Sequence, residues 1–168
     1  MQNLIWQLLA RLLAWPPVAD RIIKRAQRTP YDWLAIAGGD RIVRLPHSTA
    51  LWPGDRWYMR RWWLLRCGPL QIRIHHIMAE DIGRDMHDHP WPFRTFVLRG
   101  GYIEHRESTG RAIRLPGRTA AMDRGEFHRI SKIAQQGAWT LFATWGERTG
   151  WGFKRQDGHV VPHEEYGA

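Results

Sequence analysis

Between residues 57 and 145 the chain is a succession of short runs rich in β-branched and aromatic residues, cut by Gly, Pro and Asp, and this rhythm constrains the fold more than any other feature. Runs of that length and spacing form half-buried strands in an antiparallel sandwich or barrel. Candidate strands cover 57–66, 70–78, 93–98, 102–106, 112–115, 128–133 and 139–145. Gly68-Pro69 and Gly100-Gly101 read as hairpin turns, the second offering the positive φ angles of a tight primed turn. A length of 168 residues suits one domain with a small appendage. The expected division is a helical extension over 1–39 and an all-β barrel over 40–168.

The extension is read from its periodicity. Leu4, Ile5, Leu8, Leu9, Leu12 and Leu13 recur as one face of an amphipathic helix that Pro16 and Pro17 end. A second short helix follows, with Val18, Ile22, Ile23 and Ala26 on one side, Arg21, Lys24, Arg25 and Arg28 on the other, and Pro30 as its stop. Two basic amphipathic helices suit either packing on the barrel or a partner subunit, or lying on anionic lipid. The first is too short to span a bilayer. Gln7 and Arg11 interrupt the apolar stretch that a secretory signal needs, so a cytoplasmic location is expected.

Charge and cysteine content narrow the setting. The net charge is +9, and of 25 cationic side chains only Lys24, Lys132 and Lys154 are lysine. Arginine pairs bidentately with carboxylate and phosphate, so a small anionic substrate, nucleic acid or acidic lipid all fit, as does plain solubility. Arginines and aromatics interleave over residues 56–63, a composition that suits stacking on single strands but also a half-buried strand. The single cysteine, Cys67, follows the apolar run 62–65 and reads as a buried thiol in a reducing compartment. Eleven tryptophans give ample aromatic burial. No phosphate loop, serine elbow or paired-cysteine zinc motif is present in the sequence.

The chemistry lies in the histidines. His87-Asp88-His89-Pro90 places two imidazoles on the same face of an extended segment, because alternate residues of a strand share a face. Two convergent imidazoles suit a metal ion, and His128, opening a later strand, can supply a third. The alternative is a metal-free barrel in which the three merely pack and hydrogen-bond. His75 and His76 are adjacent on a strand, so one faces the interior as a fourth ligand or a donor behind one. Lone His47, His105, His159 and His163 read as surface or packing residues.

These residues resemble the cupin superfamily, whose first motif runs G-x5-H-x-H-x(3 or 4)-E-x6-G and whose second runs G-x5-P-x-G-x2-H-x3-N. His87, His89 and Gly100 or Gly101 meet the first; Gly117, Gly125 and His128 meet the second in register. Asp81 stands at the place of the leading glycine, Asp123 at that of the proline and Lys132 at that of the asparagine. The glutamate is absent, and Phe93 and Arg94 stand there. The runs YMRRWWLLR, HDHPWPFRTFVLRGGY, FHRI and WTLFATWGERTGWGF resemble small cupin-like proteins encoded by bacteriophages and prophages.

The resemblance implies a jelly-roll barrel, a homodimer and one divalent ion held by His87, His89 and His128, with Fe(II) favoured over Zn, Ni, Cu or Mn. It is similar to the three-histidine centres of cupin dioxygenases. Glu104 is a candidate for the missing carboxylate. Neutral imidazoles leave the ion's charge uncompensated, favouring an anionic substrate. Arg94 or Arg73 would orient its negative group, with Tyr58, Trp91 and Trp145 as cavity walls. No catalytic acid or base is assigned. A binding module without turnover is the alternative, and a basic, tryptophan-rich interaction protein contacting nucleic acid or membrane is a further one.

Overall fold

Two long strands carry the architecture. In a computed structural model, which describes residues 2–39, 41–47, 49–83 and 85–166, β6 (Phe93–Arg106) and β9 (His128–Thr144) pair antiparallel from Phe93↔Thr144 to Arg106↔His128. Chain order before β6 is α1 (Gln2–Ala14), α2 (Pro16–Ala26), β1 (Pro30–Ala37), β2 (Arg41–Leu45), β3 (Arg56–Cys67), β4 (Leu70–Ile77) and β5 (Met86–His87). Strands β7 (Gly110–Arg114) and β8 (Thr119–Met122) lie between the long pair, and β10 (Gly152–Lys154) and β11 (Val160–Pro162) close the chain.

Both long strands bend at glycines. A Cβ on Gly100, at φ 68°, would lie 1.9 Å from the Gly137 oxygen, and one on Gly137, at φ 77°, would lie 2.5 Å from that of Ile77. Only glycine permits this approach and this φ. Past the bend each strand changes partners. One wing has the order β2-β1-β3-β4-β9-β6-β8, the other β11-β10-β5-β9-β6-β7, all antiparallel. The sheet thus curls into a half-barrel, the antiparallel all-β architecture expected, with two helices at its N-terminal end.

The bend corrects one expectation. Gly100-Gly101 is not a hairpin turn, and 93–98 with 102–106 form one strand, as do 128–133 with 139–145. A hairpin would pair the two halves of β6 with each other, but both halves pair with β9. Gly68-Pro69 does join two paired strands, β3 and β4. Cys67 at that tip is exposed rather than buried.

The extension is also shorter than expected. Helix α2 ends at Ala26, and Pro30–Ala37, counted with the helices, is β1, paired to β3. Proline is tolerated as the first residue of a strand, so Pro30 starts β1 rather than merely stopping a helix. Residue 40, at the expected boundary, lies outside the described residues.

Strand alternation separates two faces. Trp62, Ile74, Phe96, Leu98 and Leu141 point outward, where Ala10 of α1 and Ala19, Ile23 and Ala26 of α2 cover them. Alanine at these contacts allows close helix–sheet approach, and Trp62 stacks on Trp139 at 5.4 Å. The helices therefore pack on the barrel's outside. The residues between these, from Met59 to Phe142, face inward and line a cavity.

Candidate metal centre

The two histidines of the H-x-H run are held by the residue between them. Asp88 turns away from the cavity: its carboxylate accepts the Gly152 N–H at 2.7 Å, and its own N–H donates to the Gly152 oxygen at 3.2 Å. This anchors β5 to β10 and leaves His87 and His89 facing inward. His87 lies opposite His128 in the ladder, so the third imidazole arrives by strand pairing. Candidate ligand atoms of His87, His89 and His128 all lie within 4.8 Å of one another.

The closest pair is informative. His89 Nε2 and His128 Nε2 are 2.9 Å apart. Two nitrogens about 2.1 Å from one ion are separated by about 3.0 Å at a right angle and about 3.4 Å at a tetrahedral angle. The observed spacing suits two nitrogens that share one ion, and equally an N–H···N hydrogen bond between the rings.

Carboxylates stand behind two of the rings. Glu104 Oε1 accepts from His128 Nδ1 at 2.8 Å, which assigns the proton to Nδ1 and leaves the Nε2 lone pair inward. Glu104 Oε2 is held by Arg114 at 2.6 Å and Arg106 at 3.0 Å. Burial opposes ionisation of Glu104, which is 2% exposed, but contact with His128 and the charges of Arg106 and Arg114 outweigh it. Its carboxyl is held well below the usual carboxylate range. Asp81 lies 3.7 Å from His87 Nδ1, beyond a direct hydrogen bond. Its own oxygens accept from Tyr58 OH and from the Ile130 N–H, the latter at 2.7 Å.

The imidazoles are available as neutral ligands. Burial, opposed by Asp81, lowers His87 to about 4. Burial, with the neighbouring histidines, lowers His89 well below its ordinary value. Both are uncharged near neutral pH. With the His128 proton on Nδ1, the 2.9 Å contact requires either a proton on His89 Nε2 or an ion shared between the two nitrogens. The donor set of this chain fits a divalent cation.

At the place of the missing glutamate, the two residues diverge. Phe93 is 1% exposed and packs against His89 at 4.7 Å. Arg94, a candidate beside Arg73 for orienting a substrate's negative group, lies on the outer face, its guanidinium 4.6 Å from the Trp6 ring and 3.4 Å from Thr119 Oγ1. The period-2 alternation of β6 puts Phe93 and Thr95 inside and Arg94 outside. Among the described residues, no carboxylate enters from this side.

Of the paired histidines, His75 faces the cavity and stacks on Phe142 at 4.7 Å. His76 points outward, stacked on Trp139 at 4.0 Å with Nε2 3.1 Å from the Gln136 oxygen, and is neither ligand nor support. Tyr58, Arg73 and Trp91 line the cavity, whereas Trp145 does not. Glu104 is present as the support of His128.

The cavity has a volume of about 120 Å³. Its far wall carries polar atoms that are buried without a partner among the described residues, Arg61 Nε, Arg73 Nε, His75 Nε2 and Thr140 Oγ1, although Nη2 of Arg61 is paired with Asp32 and that of Arg73 donates to Gln71. Three of them form one row across β3, β4 and β9, since Arg61 pairs with His75 and His75 with Thr140. Arg73 lies between aromatic rings, 4.7 Å from Trp63 and 5.0 Å from Trp91. Burial lowers both the Arg73 and the His75 pKa, so the histidine is neutral while the guanidinium stays charged. Asp81, Arg61, Thr140 and Phe142 were not among the residues expected here. Asp81 offered a signal as a carboxylate shortly before the H-x-H run; Thr140 offered none.

No family model and no curated protein matches the chain. Solved structures similar to it include one of the DMSP lyases RdDddP and RnDddQII, 14% identical over 54% of this chain and 48% of that one, with a TM-score of 0.47. A cupin-2 domain from Rhodospirillum rubrum is 10% identical over 60% of this chain and 68% of its own, TM-score 0.49. The polyketide cyclase RemF from Streptomyces resistomycificus is 18% identical over 56% and 69%, TM-score 0.48. The chain spans about half the length of the lyase structure it matches. Its chemistry is read from its own side chains.

Proposed function

We propose that this chain is a mononuclear metal enzyme acting on a small anionic molecule, with iron(II) as the ion and oxygen chemistry of the dioxygenase kind. The 2.9 Å approach of two inward nitrogens, one of them backed by a buried carboxylate, carries the reading. His87, His89 and His128 hold the ion, and Glu104 fixes the tautomer of His128. An iron(II) ion bound there supplies Lewis acidity and a redox partner for dioxygen. Arg73 attracts the substrate's anionic group, and His75, Thr140 and the Nε of Arg61, whose Nη2 is paired with Asp32, supply the hydrogen bonds that fix its position. Phe93, Phe142 and Trp91 form apolar walls that limit water around it.

The test uses protein purified without an affinity tag. Metal analysis is expected to find one ion per chain, lost in His128→Ala. Absence of stoichiometric metal, together with failure to reload it anaerobically with iron(II), sinks the reading. Oxygen uptake by the iron form is then followed with small carboxylates and thiols. Tight metal and anion binding without uptake would make the barrel a binding module instead.

A further inference from the structure

The two helices cover the outer face of the same sheet wing, so their far sides form one surface. On α1 that side is apolar. Leu4, Ile5, Leu8 and Leu12 are 54–64% exposed, and Trp15 just beyond the helix is exposed as well. At 100° per residue, Leu8 lies about 160° round the helix from the buried Ala10, with Leu4 and Leu12 one turn to either side. Helix α1 thus has apolar residues on two opposed faces, one against the barrel and one in water. A helix that only packs on a barrel is polar on its far side.

The far side of α2 is cationic. Arg21, Lys24, Arg25 and Arg28 are exposed and line a shallow groove with Pro17 and Asp20. The Asp20 carboxylate is taken by Arg99 at 2.6 Å. Residues 2–28 carry five cations and that single carboxylate.

We propose that α1 and α2 dock this protein on an anionic lipid surface, α1 lying in the interface with Leu4, Ile5, Leu8 and Leu12 among the acyl chains and α2 setting its cations on the headgroup phosphates. This arrangement satisfies both faces at once. A second copy of the chain would cover the leucines but bring two cationic clusters together. A nucleic acid would match the cations and leave the leucines in water. Trp15, between the apolar and the cationic segments, is the residue type enriched at the headgroup level. At 13 residues α1 lies on a bilayer and does not cross it.

The experiment is flotation of the full chain with phosphatidylcholine vesicles, with and without phosphatidylglycerol. Binding is expected only to the anionic vesicles and weakens as salt rises. Partitioning falls at least about tenfold in Leu8→Glu/Leu12→Glu. It also falls in Arg21→Glu/Lys24→Glu/Arg25→Glu. These positions are solvent-exposed, and an unchanged denaturation midpoint shows that each variant is folded. Wild-type protein that stays off anionic vesicles, or binding that neither variant weakens, overturns the proposal. A dimer that the leucine variant dissociates, without lipid affinity, assigns the face to a second copy. Salt-sensitive binding of single-stranded DNA indifferent to the leucine variant, again without lipid affinity, assigns it to nucleic acid.

Discussion

Replacing Glu104 by glutamine keeps the shape of the side chain and removes its charge. In the structure that carboxylate serves His128 at 2.8 Å, Arg114 at 2.6 Å and Arg106 at 3.0 Å. Two costs follow, and they are separable. Loss of the anion behind His128 lowers its basicity and its hold on the tautomer, which weakens metal binding by about 10- to 100-fold, or ~1.4 to 2.7 kcal/mol. Loss of the partner to one buried and one half-buried guanidinium group costs about 3 kcal/mol of fold stability, the lower end of the range for broken buried pairs. The lower end applies because Arg106 keeps the Ala121 oxygen at 2.6 Å and the Arg114 side chain is 17% exposed. Metal affinity is read by competition with a chelator at neutral pH, and stability by denaturant titration of the metal-free protein. Adding Arg114→Met to the variant removes one orphaned charge and restores part of the stability, but not the metal affinity. Metal affinity within about twofold of wild type in Glu104→Gln would refute the orienting role and leave Glu104 as a partner of the arginines alone.

Phe93→Glu places a carboxylate beside His89; it is expected to tighten metal binding in chelator competition while lowering the denaturation midpoint, because a buried ring worth about 3 kcal/mol is lost. Arg73→Ala is expected to abolish carboxylate protection of the loaded protein in thermal shift, whereas Arg94→Ala, on the outer face, leaves metal and anion binding unchanged. Gly100→Ala forces a Cβ against the Gly137 oxygen, with an expected loss of at least about 3 kcal/mol or failure to fold, read by circular dichroism and denaturation. His87, lowered to about 4 by burial, gives the metal-free protein a pH dependence. A histidine whose folded pKa lies below its unfolded value of about 6.5 contributes stability above that pH, so some 3 kcal/mol is lost as pH falls from about 6.5 to 4. His75 acts in the same direction. A urea midpoint that is flat across this range contradicts the buried neutral state of these rings.

The antiparallel strands and the convergence of His87 with His89 were legible because both rest on period-2 alternation, a local property of the chain. The same rule left the choice between His75 and His76, or Phe93 and Arg94, undetermined, since it says that neighbours face oppositely without saying which faces in. That depends on pairing with β9, a contact distant in sequence. Gly100 was misread for a related reason. Positive φ serves a hairpin and a strand corner equally, and only the oxygen of Gly137 behind it distinguishes them. Strand β1 was hidden by Pro30, which ends a helix and begins a strand with the same ring. Thr140 Oγ1 and Arg61 Nε are distinguished only by being buried at the cavity without a partner among the described residues, which no local pattern in the chain encodes.

Phe93 standing where a carboxylate would neutralise the ion has a thermodynamic consequence. An ion held there by imidazoles alone would have no anionic ligand in direct contact, the carboxylates of Glu104 and Asp81 standing one ring away, so an anion entering beside Arg73 would complete the charge balance of the proposed centre. Metal and anion are then linked ligands: whatever factor one adds to the affinity of the other is returned in full. If the proposed centre holds, its apparent metal affinity is then a property of the solution as much as of the chain, rising with the concentration of an anion that enters beside Arg73.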